Sequence, residues 1–195
     1  MAQQDRSIAT RASILEAAAK VFSVLPYSEA KISDVLYETS AGKGALYFHF
    51  KSKHNLASAV LLEGQKQLQA AAMTAIDKGD TARLRLESLT STIASLIADS
   101  VIVSASFKLT MQAGKEFPDI AIDPYAVWQP MVRRLIDSAS SANELRNGVD
   151  VDELTWIIIS MFMGSKELLN YRGELTKLQE RIEDAMSSLF GLAFK

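Results

Sequence analysis

The run Gly42-Lys43-Gly44-Ala45-Leu46-Tyr47-Phe48-His49-Phe50-Lys51-Ser52-Lys53 gathers the residue types that grip and read nucleic acid. Gly44 and Ala45 are small enough to let a helix N-terminus approach the major groove closely. Lys43 reaches either a phosphate or a guanine edge. Tyr47 and His49 are polar aromatics suited to phosphate oxygens or thymine methyl groups, with Leu46, Phe48 and Phe50 expected to face inward. Lys53 falls in the first turn of the next helix, whose amides and positive end favour a phosphate. By residue type alone a second reading stays open, in which Tyr47, Phe48 and Phe50 are ordinary core and the lysines a solvated face.

Other chemistries find little support. His49 and His54 are five apart with Lys51 and Lys53 between them, a spacing that suits neither a metal-ligand pair on one helix face nor a hydrolase triad. Asp152-Glu153 and Glu183-Asp184 are neighbours on helices, hence on different faces and solvated. Gly42-Lys43-Gly44 lacks the spacing of a phosphate-binding loop. With no cysteine the chain has no disulfide framework, thiolate zinc site or cysteine nucleophile. We therefore expect no enzyme, no metal and no cofactor.

The net charge of −2 hides an asymmetry: residues 1–60 carry seven Lys and Arg against five acids, and the remainder fourteen against eighteen. The basic end is the one that holds the candidate reading segment. No stretch in the first thirty residues reads as a signal peptide. The most apolar segment, Leu154 to Met163, is about half of the roughly 20 residues that span a bilayer, so it is expected to be a buried helix. A reducing cytoplasm and no membrane partner are expected.

The elements that must position the reading segment are all helical. Ile14, Leu15, Ala18, Val21, Phe22 and Leu25 recur at helical spacing over about 6–24, ending near Pro26. Ser33 to Thr39 repeats the pattern, with Ser33 as a plausible cap. Ser40-Ala41-Gly42 breaks the run, Lys43 to Phe48 forms about two turns, and Ser52 caps a helix reaching Gly79-Asp80 that could join two domains. Beyond Thr81 lie a helix marked by Leu86, Leu89, Ile93 and Ile97, another over Val101 to Gln112, and a loop from Lys115 to Asp123. Pro124 then suits the first turn of a helix running to about Ala142. Val151 to Tyr171 and Glu174 to Phe190 finish the chain. The first of these two is apolar nearly all round, which points to a subunit interface or to the centre of a monomer's bundle.

Thr10-Arg11, Ile14-Leu15, Ala17-Ala18, Val21-Phe22, Asp34-Val35, the Gly44-to-Phe50 run, and Ser52-Lys53 followed by Leu56 together closely resemble the DNA-binding domain of the TetR family of repressors, over about residues 8–60. The resemblance implies an all-α homodimer. A three-helix DNA-binding domain with a helix-turn-helix (1–52) would be joined by a long helix to a helical ligand-binding and dimerisation domain (53–195). It implies a DNA contact set of Arg11, Lys31, Ser33, Gly42, Lys43, Gly44, Ala45, Tyr47, His49 and Lys53, with His54 also on the DNA side. Three positions depart from the family pattern: Pro26-Tyr27 replaces a common Gly-Tyr, Lys31 a capping Thr, and Ser40 the usual turn glycine. They bear on the turn geometry and on one phosphate contact.

Within the family, the Ala45-to-Phe50 wording and Pro124-Tyr125-Ala126-Val127-Trp128 resemble the γ-butyrolactone receptor branch of actinomycetes. That resemblance implies that Trp128 covers a ligand pocket, the alternative being a core or domain contact. A family pocket would draw on Leu89, Ile93, Phe107, Met111, Trp128, Met131, Phe162 and Met163, with Thr110, Gln129, Ser160 and Ser165 as polar anchors. The expected function is a repressor released from a near-palindromic double-stranded operator by a small, mostly apolar effector. The rival reading is a helical protein-interaction adaptor that keeps the fold without sequence-specific DNA binding.

Overall fold

The structure, a computed structural model, describes residues 2–120 and 124–195. Within that range the chain forms α1 (Ala2–Val24), α2 (Ile32–Glu38), α3 (Lys43–His49), α4 (Lys53–Ile76), α5 (Ala82–Asp99), α6 (Val101–Ala113), α7 (Pro124–Ser141), α8 (Val151–Arg172) and α9 (Leu178–Ala193), with short 3-10 turns at Gly114–Glu116 and Leu175–Lys177. No β-strand occurs among the described residues; Leu145 and Phe194 make an isolated bridge. The all-α expectation holds. Residues 121–123 of the expected loop, and the side chains of Pro124, Tyr125 and Ala126, lie outside the described residues.

Local chemistry sets most of the boundaries. Ser52 Oγ accepts from Asn55 N–H at 3.1 Å, and Asp150 from Glu153 N–H at 2.8 Å, so each satisfies a first-turn amide that has no partner within its helix. Gly173, in the left-handed region at φ 68°, ends α8, and Glu174 N–H turns back to Leu169 O at 2.9 Å. One cap differs from expectation: α2 starts at Ile32, and Lys31, not Ser33, is the capping residue. Its side chain carries no acceptor, so the reciprocal half of the motif acts instead, with Asp34 Oδ2 accepting from Lys31 N–H at 2.8 Å.

Packing divides the chain into two compact units, Met1–Gln67 with Ser100–Ile122, and Leu68–Asp99 with Asp123–Lys195. These cut the chain elsewhere than the functional split expected at 52/53, because α6 and the first part of α4 pack with the N-terminal helices. In the first unit Ile14, Ala18, Phe22, Val35, Leu46, Phe50, Leu56, Leu61, Leu109 and Phe117 make a common core. Gly64 lets α4 cross α6 closely: a Cβ placed there would stand 2.3 Å from Ser106 Cβ. Lys108 Nζ reaches from α6 to the last carbonyls of α1, Ser23 O at 3.1 Å and Val24 O at 2.7 Å, where a cation also meets the negative end of the helix dipole. Burial lowers the Lys108 pKa.

In the second unit α5 packs on α9 and α7, and α8 on α7 and α9. Leu86, Ile93, Ile97, Ile136, Ile158, Ile182 and Phe190 fill that core. The C-terminus is tied down through Arg146 Nε to Phe194 O at 2.8 Å and Lys195 N–H to Glu144 O at 2.8 Å. The apolar surplus of α8 is resolved into two faces. Leu154, Ile158, Ile159 and Leu169 are buried, while Trp156, Ile157, Leu168 and Tyr171 remain exposed on the single chain.

Candidate nucleic-acid interface

Two side chains four apart anchor α3. Leu46 and Phe50 are fully or nearly fully buried, and this keel turns the opposite side of the short helix to solvent. There Gly42, Lys43, Gly44, Tyr47 and Phe48 are exposed, with Ala45 and His49 half-buried. Phe48 corrects the sequence expectation. Expected inward, it is 79% exposed and sets its ring edge-on to His49 at 5.1 Å. The spacing holds the reason: at about 100° per residue, positions 46 and 50 share a face, whereas position 48 lies roughly 200° away from 46, next to Gly44, with Tyr47 on the flank between the two faces.

Neither glycine of the segment is demanded from inside the molecule. A Cβ at Gly42 or Gly44 would meet no heavy atom within 4 Å, and neither takes a positive φ. What their smallness allows is close approach by something outside, as expected where a helix enters a groove.

The turn before α3 needs no glycine either, since Ser40 does not take a positive φ. Thr39 organises it instead, its Oγ1 accepting from Ala41 N–H at 3.2 Å and lying 3.3 Å from Ser13 Oγ on α1. The departures at Lys31 and Ser40 are thus both accommodated. Pro26 is accommodated too, its carbonyl accepting from the N–H groups of Glu29 and Ala30 at 3.1 and 3.0 Å. Arg11 and Lys31 are exposed, as is Ser33; Arg11 holds its guanidinium 5.1 Å from the centre of the Phe50 ring.

Two residues expected at the DNA act within the protein. Lys53 Nζ donates to Tyr27 O at 2.8 Å and Ala30 O at 3.0 Å and sits 4.3 Å from the centre of the Tyr27 ring. Its ammonium ties the start of α4 to the α1–α2 loop. His54 stacks on Phe117 at 4.7 Å, with Nε2 3.1 Å from Glu116 O. Tyr27 is buried against both partners, and its pKa is raised, first by burial and then by the nearby Glu116 carboxylate.

The candidate effector residues are less collected. Phe107, Thr110 and Met111 belong to the first unit, and Leu89, Ile93, Trp128, Gln129, Met131, Ser160, Phe162, Met163 and Ser165 to the second. Leu89 and Ile93 are core; Trp128, Met131, Phe162, Met163 and Ser165 are half-buried; Met111, Gln129 and Ser160 are exposed. Two surface clefts, of about 640 Å³ between α1 and α2 and about 390 Å³ between α5 and α9, are lined by other residues. Among the described residues no group of three or more His, Asp or Glu could hold a metal ion, and no single helix is long and apolar enough to cross a membrane.

Residues 14–60 match the family model described as bacterial regulatory proteins, tetR family. The structure of full-length native tylp, a TetR regulator from Streptomyces fradiae, is 30% identical, covering 97% of this chain and 89% of that one with a TM-score of 0.69. The chain belongs to the TetR family. Its α1–α3 segment is therefore the family's DNA-binding domain, and the protein is a TetR-family regulator. The A-factor receptor protein of Streptomyces griseus is 48% identical over 63 residues, which is 32% of this chain but 23% of that receptor's length. The crystal structure of a gamma-butyrolactone receptor, an ArpA-like protein, shares the fold at 22% identity and a TM-score of 0.71, covering 92% of this chain and 99% of that one.

Proposed function

We propose that this TetR-family regulator is a homodimeric repressor that holds a near-palindromic double-stranded operator and releases it on binding a small, mostly apolar effector of γ-butyrolactone type. The observation that carries the DNA half is the outer face of α3, where Lys43, Gly44, Tyr47 and Phe48 stand exposed on the buried keel of Leu46 and Phe50. Lys43 and Tyr47 supply phosphate or base-edge bonds, and Phe48 supplies an apolar surface for thymine methyl groups. Arg11, Lys31, Ser33 and His49 flank this face, Gly42 and Ala45 let the duplex close in, and Lys53 acts as a positioning strut.

Residues 1–52 read the operator, and residues 53–195 bind effector and partner. The exposed apolar stripe of α8 supports a subunit interface, where a second copy would cover Trp156, Leu168 and Tyr171. Similarity to the A-factor receptor and to the fold of a γ-butyrolactone receptor supports the effector class. The half-buried Trp128, Met131, Phe162, Met163 and Ser165, beside Leu89 and Ile93, would meet it. For release, the effector must favour one dimer conformation by several kcal/mol, since equal affinity for both shifts nothing. The moving quantity is the separation of two α3 helices, about 34–36 Å or a multiple when both sit in successive major grooves.

Selection of bound sequences from random duplex DNA tests the reading. A near-palindrome is expected, bound with a steep negative salt dependence and lost in Tyr47→Ala and Phe48→Ala, and released by a synthetic γ-butyrolactone. A folded dimer that enriches no sequence refutes the operator. Enrichment without release by any butyrolactone refutes the effector class.

A further inference from the structure

We infer that Phe117 and His54 form a clasp that sets the orientation of the reading helix, making the segment after α6 a positioning element for operator recognition. The inference rests on the DNA-binding reading above. Phe117 is 1% exposed and touches two aromatic partners at once: it stacks on His54 at 4.7 Å and 24°, and stands edge-on to Tyr27 at 5.1 Å and 72°. Both partners lie beside the start of α4. His54 is in its first turn, and Tyr27 receives Lys53 through its carbonyl and its ring face.

Two directional bonds fix the same segment along α4. His54 Nε2 lies 3.1 Å from Glu116 O, and Gln65 Nε2 donates to Ile120 O at 2.8 Å. Residues 116–120 are thereby bolted to α4 at positions eleven apart in sequence, about three helical turns. Only three residues separate the end of α3 from the start of α4, and one of them is the buried Phe50. A linker so short transmits the direction of the first turn of α4 to the axis of α3. Contact with the Phe117 ring alone would be served by any large apolar side chain at position 54. The histidine adds a bond to a backbone carbonyl, which holds direction as well as distance.

In a dimer that reads two half-sites, looseness at this clasp lets each α3 reach a wider range of separations. Operator spacing is then the quantity that responds, because one base pair moves a half-site by about 3.4 Å along the axis and turns it about the duplex. A purely structural role would instead lower affinity equally for every spacing.

The test uses the full-length dimer and His54→Leu, which keeps the bulk at an exposed position and removes the bond, with Phe117→Leu as a second variant. Glu116→Ala is the control, because the acceptor is its backbone carbonyl. Affinity is measured for the selected operator and for versions with one base pair added or removed between half-sites. Wild type and Glu116→Ala are expected to lose about tenfold or more on either change, and His54→Leu about threefold or less. In parallel, hydrogen–deuterium exchange of the free protein should speed up over residues 43–60 in His54→Leu and stay unchanged over α8 and α9. Wild-type exchange over 43–60, or undiminished spacing discrimination with uniform affinity loss, overturns the clasp. If the wild type enriches no operator, the DNA reading fails, and the exchange comparison still decides whether the clasp orders α3.

Discussion

Replacing Gly64 by alanine should destabilise the protein, although the same change at most helical positions stabilises it by about 0.5–1 kcal/mol. The added Cβ would stand 2.3 Å from Ser106 Cβ, 2.7 Å from Ser106 Oγ and 3.2 Å from Ile102 O. Carbon atoms prefer about 3.5–4 Å, so the first contact is short by more than 1 Å. Rotating the serine side chain moves Oγ but leaves Cβ where the α6 backbone puts it, and the two helices must separate. Overpacking of that kind costs about 1–3 kcal/mol. After the gain in helix propensity, a net loss of about 1–2 kcal/mol remains, or roughly 2–8 °C in melting temperature for a chain of this size. Urea unfolding at one protein concentration measures it. A double-mutant cycle with Ser106→Gly isolates the clash: Gly64→Ala should be well tolerated on the Ser106→Gly background, which gives a coupling above about 1 kcal/mol. If Gly64→Ala alone raises stability, or the two changes simply add, α4 and α6 do not meet as closely as Gly64 requires.

Operator binding by Lys43→Ala should show a salt slope smaller by about 1 than wild type, whereas Lys53→Ala should keep the slope and lose stability, since its ammonium serves Tyr27 O and Ala30 O. Salt titrations of both with a fixed operator check this, and equal slope changes would return Lys53 to the phosphates. Ser91 and Gln179 hold Glu183 below the usual carboxylate range through bonds of 2.6 and 3.0 Å. A lowered carboxylate stabilises the fold above its ordinary pKa and ceases to do so as pH falls through the lowered one. Ser91→Ala should therefore reduce melting temperature at pH 7 and match wild type in strong acid, and a difference that persists into acid would separate the effect from Glu183. Trp156→Glu, at a position 62% exposed on the single chain, should leave the helical circular dichroism spectrum unchanged and raise the monomer fraction in sedimentation experiments; an unaltered dimer would place the interface elsewhere.

The helices and the anchoring of α3 were legible because both rest on local periodicity. Leu46 and Phe50 repeat at one helical turn, and the cap at Ser52 needs only a side chain three residues before the amide it meets. Phe48 was misjudged: its hydrophobicity pointed inward, but the same helical geometry that buries positions 46 and 50 turns 48 outward. Lys53 and His54 were not legible. Their partners, Tyr27, Ala30, Glu116 and Phe117, lie 23–63 residues away in the sequence, and nothing in a run of basic residues distinguishes an ammonium facing solvent from one facing a carbonyl. The cap of α2 was displaced for a similar reason: Ser33 has the preferred chemistry, but Asp34 closes the motif from the other side at Lys31. The placement of α6 with the N-terminal helices depends on the crossing at Gly64 and on Lys108, neither of which has a sequence signature.

The membership of α6 in the first compact unit bears on how such regulators can be recombined. A chimera joined at residue 52, grafting this reader onto a relative's body, would sever Lys53 from Tyr27 and leave the α1 carbonyls at Ser23 and Val24 facing whatever the new α6 carries in place of Lys108. The compact unit that contains the reader is discontinuous: residues 1–67 together with 100–122. Mutational drift in α6 is consequently filtered by the head it supports, a constraint that α5, α7, α8 and α9, which pack with one another in the other unit, do not share.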